Sequence, residues 1–491
     1  MDRLNYQTLE KQGFKEYLLK DGVEKVLQFG EGNFLRAFVD YFIDIMNEKA
    51  GFNAKVVVVQ PIDQGLADII NEQEGLFTLF LRGRENGQKV NNKRVISSVK
   101  RCINPYKDYD KFLANAENKD LRFIVSNTTE AGIAYDGTCK FTDRPASSFP
   151  AKLCQFLYKR FELGLPGFII LNCELIDHNG DELKRIVNIH IDEWNLGKEF
   201  KDWVNNENYF CSTLVDRIVT GYPKNEAKEI CDSLGYEDKL LDTAETFGFW
   251  VIECPQKIYD EFPVKKAGLD SNIIIVDDHM PYKQRKVRIL NGAHTSMVLG
   301  AYLAGQNIVR DCMNDEVIHG FMNRVIYDEV IPTLDLPKDD LMDFAKKVTD
   351  RFDNPYVDHL LLSISLNSTS KWKARVMPTL TEYVKRFNKL PKAVTMSFAF
   401  YIKFYFNAAN ELKENSLVGK RGNDTYEVKD DKWVLEFYHS LKGADNKTLA
   451  KEVINNEKMW GDTLKNMPGF YEAVVEDLDL IDKVGAYEAM K

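Results

Sequence analysis

Lys25-Val-Leu-Gln-Phe29 runs directly into Gly30-Glu31-Gly32-Asn33-Phe34-Leu35. From Asn33 to Ala50 the apolar residues Phe34, Leu35, Phe38, Val39, Phe42, Ile43 and Met46 then recur at helical spacing. A short apolar strand, a glycine turn and an amphipathic helix, in that order, are what a dinucleotide-binding α/β unit requires. Gly30 permits the tight turn and Gly32 lets backbone approach a pyrophosphate. The N–H groups at the start of the helix, where Asn33 and Phe34 sit, offer an anion site with the helix dipole behind it. Leu35 stands where the full fingerprint has a third glycine, so an ordinary strand-to-helix turn is the competing reading.

Further short apolar runs follow at Lys55–Gln60, Leu121–Ser126, Gly167–Leu171, Phe249–Glu253 and Asn272–Val276, with longer amphipathic stretches between them. This alternation predicts an α/β sheet. After about Asp277 the strand signal fades, and the chain reads as successive helices broken at Pro332, Pro337, Pro355 and Pro391. The expected organisation is therefore an α/β nucleotide-binding domain over 1–278 and a mostly α-helical domain over 279–491. Two domains suit a chain of 491 residues.

Composition narrows the function classes. With 44% hydrophobic and 29% charged residues, the chain has material for a large core and little sign of disorder. A formal charge of -10 opposes non-specific attraction to nucleic acid or to an anionic membrane. A small anionic substrate then needs a local cluster of Lys and Arg. The eight cysteines form no C-x-x-C pair, which argues for buried free thiols and against a metal knuckle. The first twenty residues are charged throughout, and no window approaches the roughly 20 apolar residues of a membrane span, so a cytoplasmic protein is expected.

At the second strand an acidic residue is expected to bind the adenosine ribose. That strand ends at Gln60, with Asp63 three residues on, either as the ribose ligand or as a solvated loop carboxylate. The strand ending at Ser126 opens into Asn127-Thr128-Thr129-Glu130, which places Thr128, Thr129 and Glu130 at the ligand-binding edge of a parallel sheet. A hydroxyl-rich cap for the next element is the alternative.

Lys286-Val-Arg-Ile-Leu-Asn291-Gly-Ala-His294 carries the most chemistry. On a regular α-helix Asn291 falls about 140° and His294 about 80° from Lys286, so an amine, an amide and an imidazole can address one cleft. A solvated lysine and a core histidine are the plainer reading of the same spacing.

This motif resembles the active-site signature of the polyol-specific long-chain dehydrogenases, the mannitol dehydrogenase family. Gly30, Gly32, Phe34, Arg36 and Ala37 match the family's G-x-G-x-F-x-R-A, Val215-Asp216-Arg217 its V-D-R, and Trp250-Val-Ile-Glu253 its W-V-I-E. The stretches SNTTEAGI, CELIDHNG, CSTLVDRIVTGYP, ILNGAHT and RFDNPY are similar to the members that interconvert a ketose acid and its alditol acid. The resemblance implies a Rossmann-type N-terminal domain, NAD as cofactor and hydride transfer without a metal. Lys286 would be the general acid and base, Asn291 the oxyanion donor, His294 the orienting group and Asp216 the residue that fixes them, with a structural ion pair to Arg217 as the alternative for Asp216. Burial and cationic neighbours, Arg285 and Arg288 among them, would ready the lysine for proton transfer.

There is a departure from the pattern. Where mannitol dehydrogenases place a second oxyanion asparagine, this chain has Leu175, and losing such a donor costs roughly 3 to 4 kcal/mol unless another group, Asn179 or backbone, substitutes. A carboxylate substrate also demands positioned cations. Lys371 and Arg375, four apart, share one helical face and are the expected pair, against a solvated basic face. His178 and Asn179, beyond a strand end, are further substrate candidates, against an Asn-Gly turn. The expected partner is a small sugar acid, with no nucleic acid and no membrane, for a monomer or homodimer. A nicotinamide-sensing protein that has lost catalysis is the rival from another class.

Overall fold

The computed structural model describes residues 1–85, 87–129 and 131–491. The chain divides into two compact units, Met1–Arg82 with Val90–His279, and Gly83–Lys89 with Met280–Lys491.

The first unit is built on eleven strands: β1 (Val23–Phe29), β2 (Ala54–Val59), β3 (Phe77–Glu85), β4 (Gln88–Ile96), β5 (Val99–Ile103), β6 (Phe123–Ser126), β7 (Ile169–Asn172), β8 (Tyr209–Asp216), β9 (Asp242–Ala244), β10 (Phe249–Glu253) and β11 (Ile273–Val276). Eight of them form one sheet in the order β11-β10-β8-β7-β6-β1-β2-β5, and β4-β3-β9 form a smaller one. In the large sheet every neighbouring pair is parallel except β8 and β10. Side chains alternate across it: Val26 packs into the core on one face, Leu27 and Phe29 into the core on the other. Every sequence-predicted strand is present. The strands of this unit missing from that reading are β3, β4, β5, β8 and β9; in β8 the interior Cys211, Ser212 and Thr213 give no continuous apolar run.

Strand order reverses at β1, which has β2 on one side and β6 on the other. Chain leaving the carboxyl ends of β1 and β6 departs to opposite sides of the sheet and leaves a crevice there. The helix after β1 contains a π turn, Arg36–Asp40, between Asn33–Leu35 and Tyr41–Ala50.

The second unit takes in the ends of β3 and β4 within Gly83–Lys89, and its other described residues are helical apart from the hairpin of β12 (Leu417–Arg421) and β13 (Asp424–Val428). Its centre is a pair of helices, Gly292–Leu303 and Lys392–Phe406, apolar on nearly all sides because other helices surround them. A Cβ at Gly300 would come 2.5 Å from the Phe400 ring, so glycine sets how closely the two cross. Glu329 caps the second helix by accepting from the N–H groups of Ala393 and Val394 at 2.9 and 2.7 Å. Pro337 and Pro391 stand at helix N-caps, where a missing N–H costs nothing. Among the described residues no helix is long and apolar enough to cross a membrane.

Candidate active site

In the first unit the crevice is built by two loops. Gly30 leaves β1 at φ +123°, and a Cβ on it would lie 3.2 Å from the Asn127 carbonyl oxygen, a conformation and an approach that favour glycine. Thr129, in the loop after β6, also has a positive φ of 69°. Beneath that loop lies Glu174, buried, whose carboxylate accepts from the Thr128 N–H at 2.9 Å, the Thr128 hydroxyl at 3.0 Å and the Ser126 hydroxyl at 3.0 Å. Burial raises the Glu174 pKa, and these donors pull it back. A cavity of about 590 Å³ opens between the loops, lined by Gly30, Gly32, Ile62, Thr128, Thr129 and Ser148 among others. The helix beginning at Asn33 has no side-chain N-cap, so its first N–H groups remain available to an anion. The buried Glu31 Oε2 has no partner. Glycines without a side chain, an uncapped helix start and an orphaned polar atom fit a dinucleotide.

Four of the expected cofactor residues, Gly30, Gly32, Thr128 and Thr129, therefore share one cavity. Asn33 and Phe34 stand at the uncapped helix start with their side chains turned away from the lining. The Asn33 amide oxygen accepts from Arg36 at 2.5 Å, while the Phe34 ring stacks on Phe38 at 5.1 Å against the core. Asp63 is exposed beside Ile62, outside the lining. Glu130 lies outside the described residues.

At the end of β7, Leu175 is 63% exposed, and the expectation that Asn179 substitutes for it is overturned. Asn179 is fully buried, its amide donating to the carbonyls of Asn172, Glu174 and Thr213 and accepting from the Thr213 N–H. It staples β7 to β8, and no hydrogen-bonding capacity is left for a sugar. Gly180 follows because a Cβ there would strike the Cys211 backbone at 2.6 Å. His178, at φ +50°, is exposed and sets its ring edge-on to His279 at 5.3 Å. Among the described residues Glu253, Asp278 and His279 form the one group with metal-ligand spacing. There the Glu253 carboxylate already bonds His279 Nδ1 at 2.6 Å. Asp216 ends β8, buried and paired with Phe249 of β10. Arg217 donates to the carbonyls of Ala37, Thr246 and Phe247.

In the second unit Lys286–Asn291 is a π turn running into the α-helix Gly292–Leu303. The α-helical angles expected for this stretch are thereby corrected. A π turn bonds i to i+5, the spacing of Lys286 and Asn291, so these two stand one above the other on one face. Lys286 and Asn291 are half-buried, while Arg285 and Arg288 are buried. Arg285 pairs with Asp340 at 2.9 Å over the Phe344 ring, and Arg288 donates to the hydroxyls of Thr333 and Thr379. Both arginines anchor the turn to neighbouring helices.

His294 is buried. Its ring stacks on Phe352 with centroids 3.8 Å apart, and its Nε2 has no partner. Burial, and then the surrounding His359, Arg351, Arg375 and Lys371, hold its pKa well below the usual histidine value. Lys371 and Arg375 lie on the helix Ser368–Arg375, which reaches this turn because position 292 is glycine: a Cβ there would meet the Arg375 carbonyl oxygen at 3.2 Å. The Lys371 ammonium donates to the Ile364 carbonyl at 2.8 Å, and among the described residues neither it nor Arg375 forms an ion pair. Burial lowers the pKa of both. The second unit thus gathers Lys286, Asn291 and His294 on one helix, with Lys371 and Arg375 on a helix packed against it. Phe352, His359 and Glu174 were not singled out from sequence. The only signal for Phe352 was its place in RFDNPY.

Residues 24–266 match the family model described as the mannitol dehydrogenase Rossmann domain, and residues 278–482 the mannitol dehydrogenase C-terminal domain. The chain belongs to the mannitol dehydrogenase family. It is accordingly an oxidoreductase acting on CH–OH groups. Within the family it is 45% identical, over 95% of its length and 96% of theirs, to the altronate oxidoreductases of Enterobacter sp. (strain 638) and of Escherichia coli O17:K52:H18. Its fold is shared with a D-sorbitol dehydrogenase in substrate-free form (TM-score 0.80, 20% identity, 96% of each chain). It is shared too with Pseudomonas fluorescens mannitol 2-dehydrogenase in ternary complex with NAD and D-mannitol (TM-score 0.67, 21% identity, 99% of this chain and 98% of that one).

Proposed function

We propose that this mannitol dehydrogenase family member catalyses the reversible, NADH-dependent reduction of tagaturonate to altronate. The cofactor, when bound in the glycine-lined cavity, supplies hydride to the ketone carbon. Lys286 gives its ammonium proton to the ketone oxygen as the C=O π bond breaks, and takes that proton back in the reverse direction. Asn291, one π turn along, donates its amide N–H to the same oxygen while negative charge builds there. His294, held neutral, offers its unpartnered Nε2 to a substrate hydroxyl, and Asp216 acts as a positioning residue. No metal ion takes part.

The observation that carries the substrate class is the pair of half-buried cations, Lys371 and Arg375, set without an acidic partner beside His294. Unpaired charge in a partly desolvated place is unfavourable until an anion arrives, and a hexuronate carboxylate is such an anion. The 45% identity to altronate oxidoreductases supports the same reading. In the cofactor cavity Gly30, Gly32, Thr128 and Thr129 hold the dinucleotide, and the exposed Asp63 carboxylate beside Ile62 disfavours a 2′-phosphate.

The test is a spectrophotometric panel of tagaturonate, fructuronate and fructose, each with NADH and NADPH. Tagaturonate with NADH is expected to react fastest. A faster rate with fructuronate assigns the chain to the mannonate-forming reaction, and no reduction of any of the three sinks the enzymatic reading.

A further inference from the structure

We propose that His359 is a specificity-determining residue, its imidazole completing with Lys371 and Arg375 an anion pocket beside His294 that takes the carboxylate end of the substrate. This rests on the sugar-acid reading above and adds to it a third donor.

The His359 ring stands perpendicular to the His294 ring, centroids 5.5 Å apart. It is half-buried, and among the described residues its ring nitrogens bond nothing. The backbone around it is clamped. The Val309 N–H donates to the His359 carbonyl at 3.0 Å, the Leu361 N–H donates to the Asn307 carbonyl at 2.9 Å, and Ile308 bridges Leu360. The preceding loop is tied by Arg310, which donates to the Pro355 carbonyl and to Asp358. A main chain held at so many points presents the imidazole in one place, which is the condition for a donor to discriminate between ligands.

The neighbouring acceptors are already committed. Asp430, an acid whose charge reaches Lys371, accepts from the Thr369 N–H at 3.1 Å and from the Tyr405 hydroxyl at 2.5 Å. Beyond the Ile364 carbonyl that Lys371 already meets, the described residues leave the two cations and the unbonded His359 ring without an acceptor. Burial, then the Lys371 charge, keeps the His359 pKa below the ordinary histidine value, so the imidazole serves as a neutral N–H donor. A carboxylate offers about four lone-pair sites and meets both cations and the His359 N–H, whereas the CH2OH terminus of a neutral ketose leaves both cations uncompensated. A site built around hydrogen bonds to one group rejects the analogue lacking it far more strongly than a site shaped by apolar packing does.

The test compares full-length wild type with His359→Ala and His359→Gln on tagaturonate and on tagatose, which carries CH2OH in place of the carboxylate. kcat/KM is read at substrate concentrations far below saturation, and thermal unfolding verifies each fold. For His359→Ala we expect a fall of about 10- to 100-fold on tagaturonate and under about threefold on tagatose, with His359→Gln between, since its amide restores a donor. A wild-type preference for the acid that survives in His359→Ala overturns this proposal alone, as does an equal loss on both sugars. A wild type without preference for the acid overturns the sugar-acid reading, and this proposal with it.

Discussion

The imidazole of His294 lies face to face on the phenyl ring of Phe352, with centroids 3.8 Å apart and planes 12° from parallel. His294 belongs to the helix Gly292–Leu303 and Phe352 ends the helix Lys338–Phe352, so the stack joins two helices and fixes the plane in which Nε2 points. Phe352→Leu keeps most of the apolar volume. We expect it to unfold within about 1.5 kcal/mol of wild type and to lose about tenfold in kcat, because the ring of His294 is no longer held. Equal kcat in the two proteins, at equal thermal stability, would remove Phe352 from the site.

Because burial and the charges around it depress the pKa of His294, the folded chain binds fewer protons there than the unfolded chain once pH drops below the unfolded value of about 6.5. Stability from this group is therefore complete above that pH and declines beneath it. With urea midpoints measured at pH 7.5 and 5.5, His294→Gln should gain stability relative to wild type as the pH is lowered. His359 acts in the same direction and leaves a residual slope.

Asp40, under the glycine loop, has the opposite sign. Burial raises its carboxyl to about 7 despite a hydrogen bond from Gln28 and the charge of Arg36, and Asp242 is raised to a similar value. Between about pH 4 and 7 the folded state holds a proton that the unfolded chain has lost. The stability tied to Asp40 is present below about pH 4 and lost as pH climbs to 7. Relative to wild type, the denaturation midpoint of Asp40→Asn should rise as pH climbs from 5 to 7.5, and a difference that stays constant with pH would place the titration elsewhere.

Glu174 organises the loop carrying Thr128 through three accepted hydrogen bonds, so Glu174→Ala should raise the Kd for NADH about tenfold. Fluorescence titration of NADH reads this. The KM for the sugar acid, whose proposed ligands belong to the other unit, should change little.

What the sequence disclosed and what it withheld follow from the physics of each segment. The β1 strand, its glycine turn and the following helix are local in origin, and apolar periodicity with two glycines suffices to read them. The β8 strand is polar in its interior and is held by ladders to β7 and β10, partners that a local pattern does not reveal. Asn179 read as a surface turn residue because Asn-Gly is common there, yet its amide is consumed by the carbonyls of Asn172, Glu174 and Thr213. The face shared by Lys286 and Asn291 depends on a π turn, which a 100° helical wheel does not contain. His359 carried no motif of its own, and only the folding of its loop brings it to His294.

The account depends most on Lys286 as the group that exchanges a proton with the reacting oxygen. Stopped-flow oxidation of NADH by saturating tagaturonate in Lys286→Ala, alongside equilibrium binding of NADH to the same variant, measures this directly. We predict hydride transfer slowed by at least about a thousandfold, with the NADH Kd within about twofold of wild type. Hydride transfer within tenfold of wild type would contradict the assignment of Lys286 and, with it, the mechanism proposed for this site.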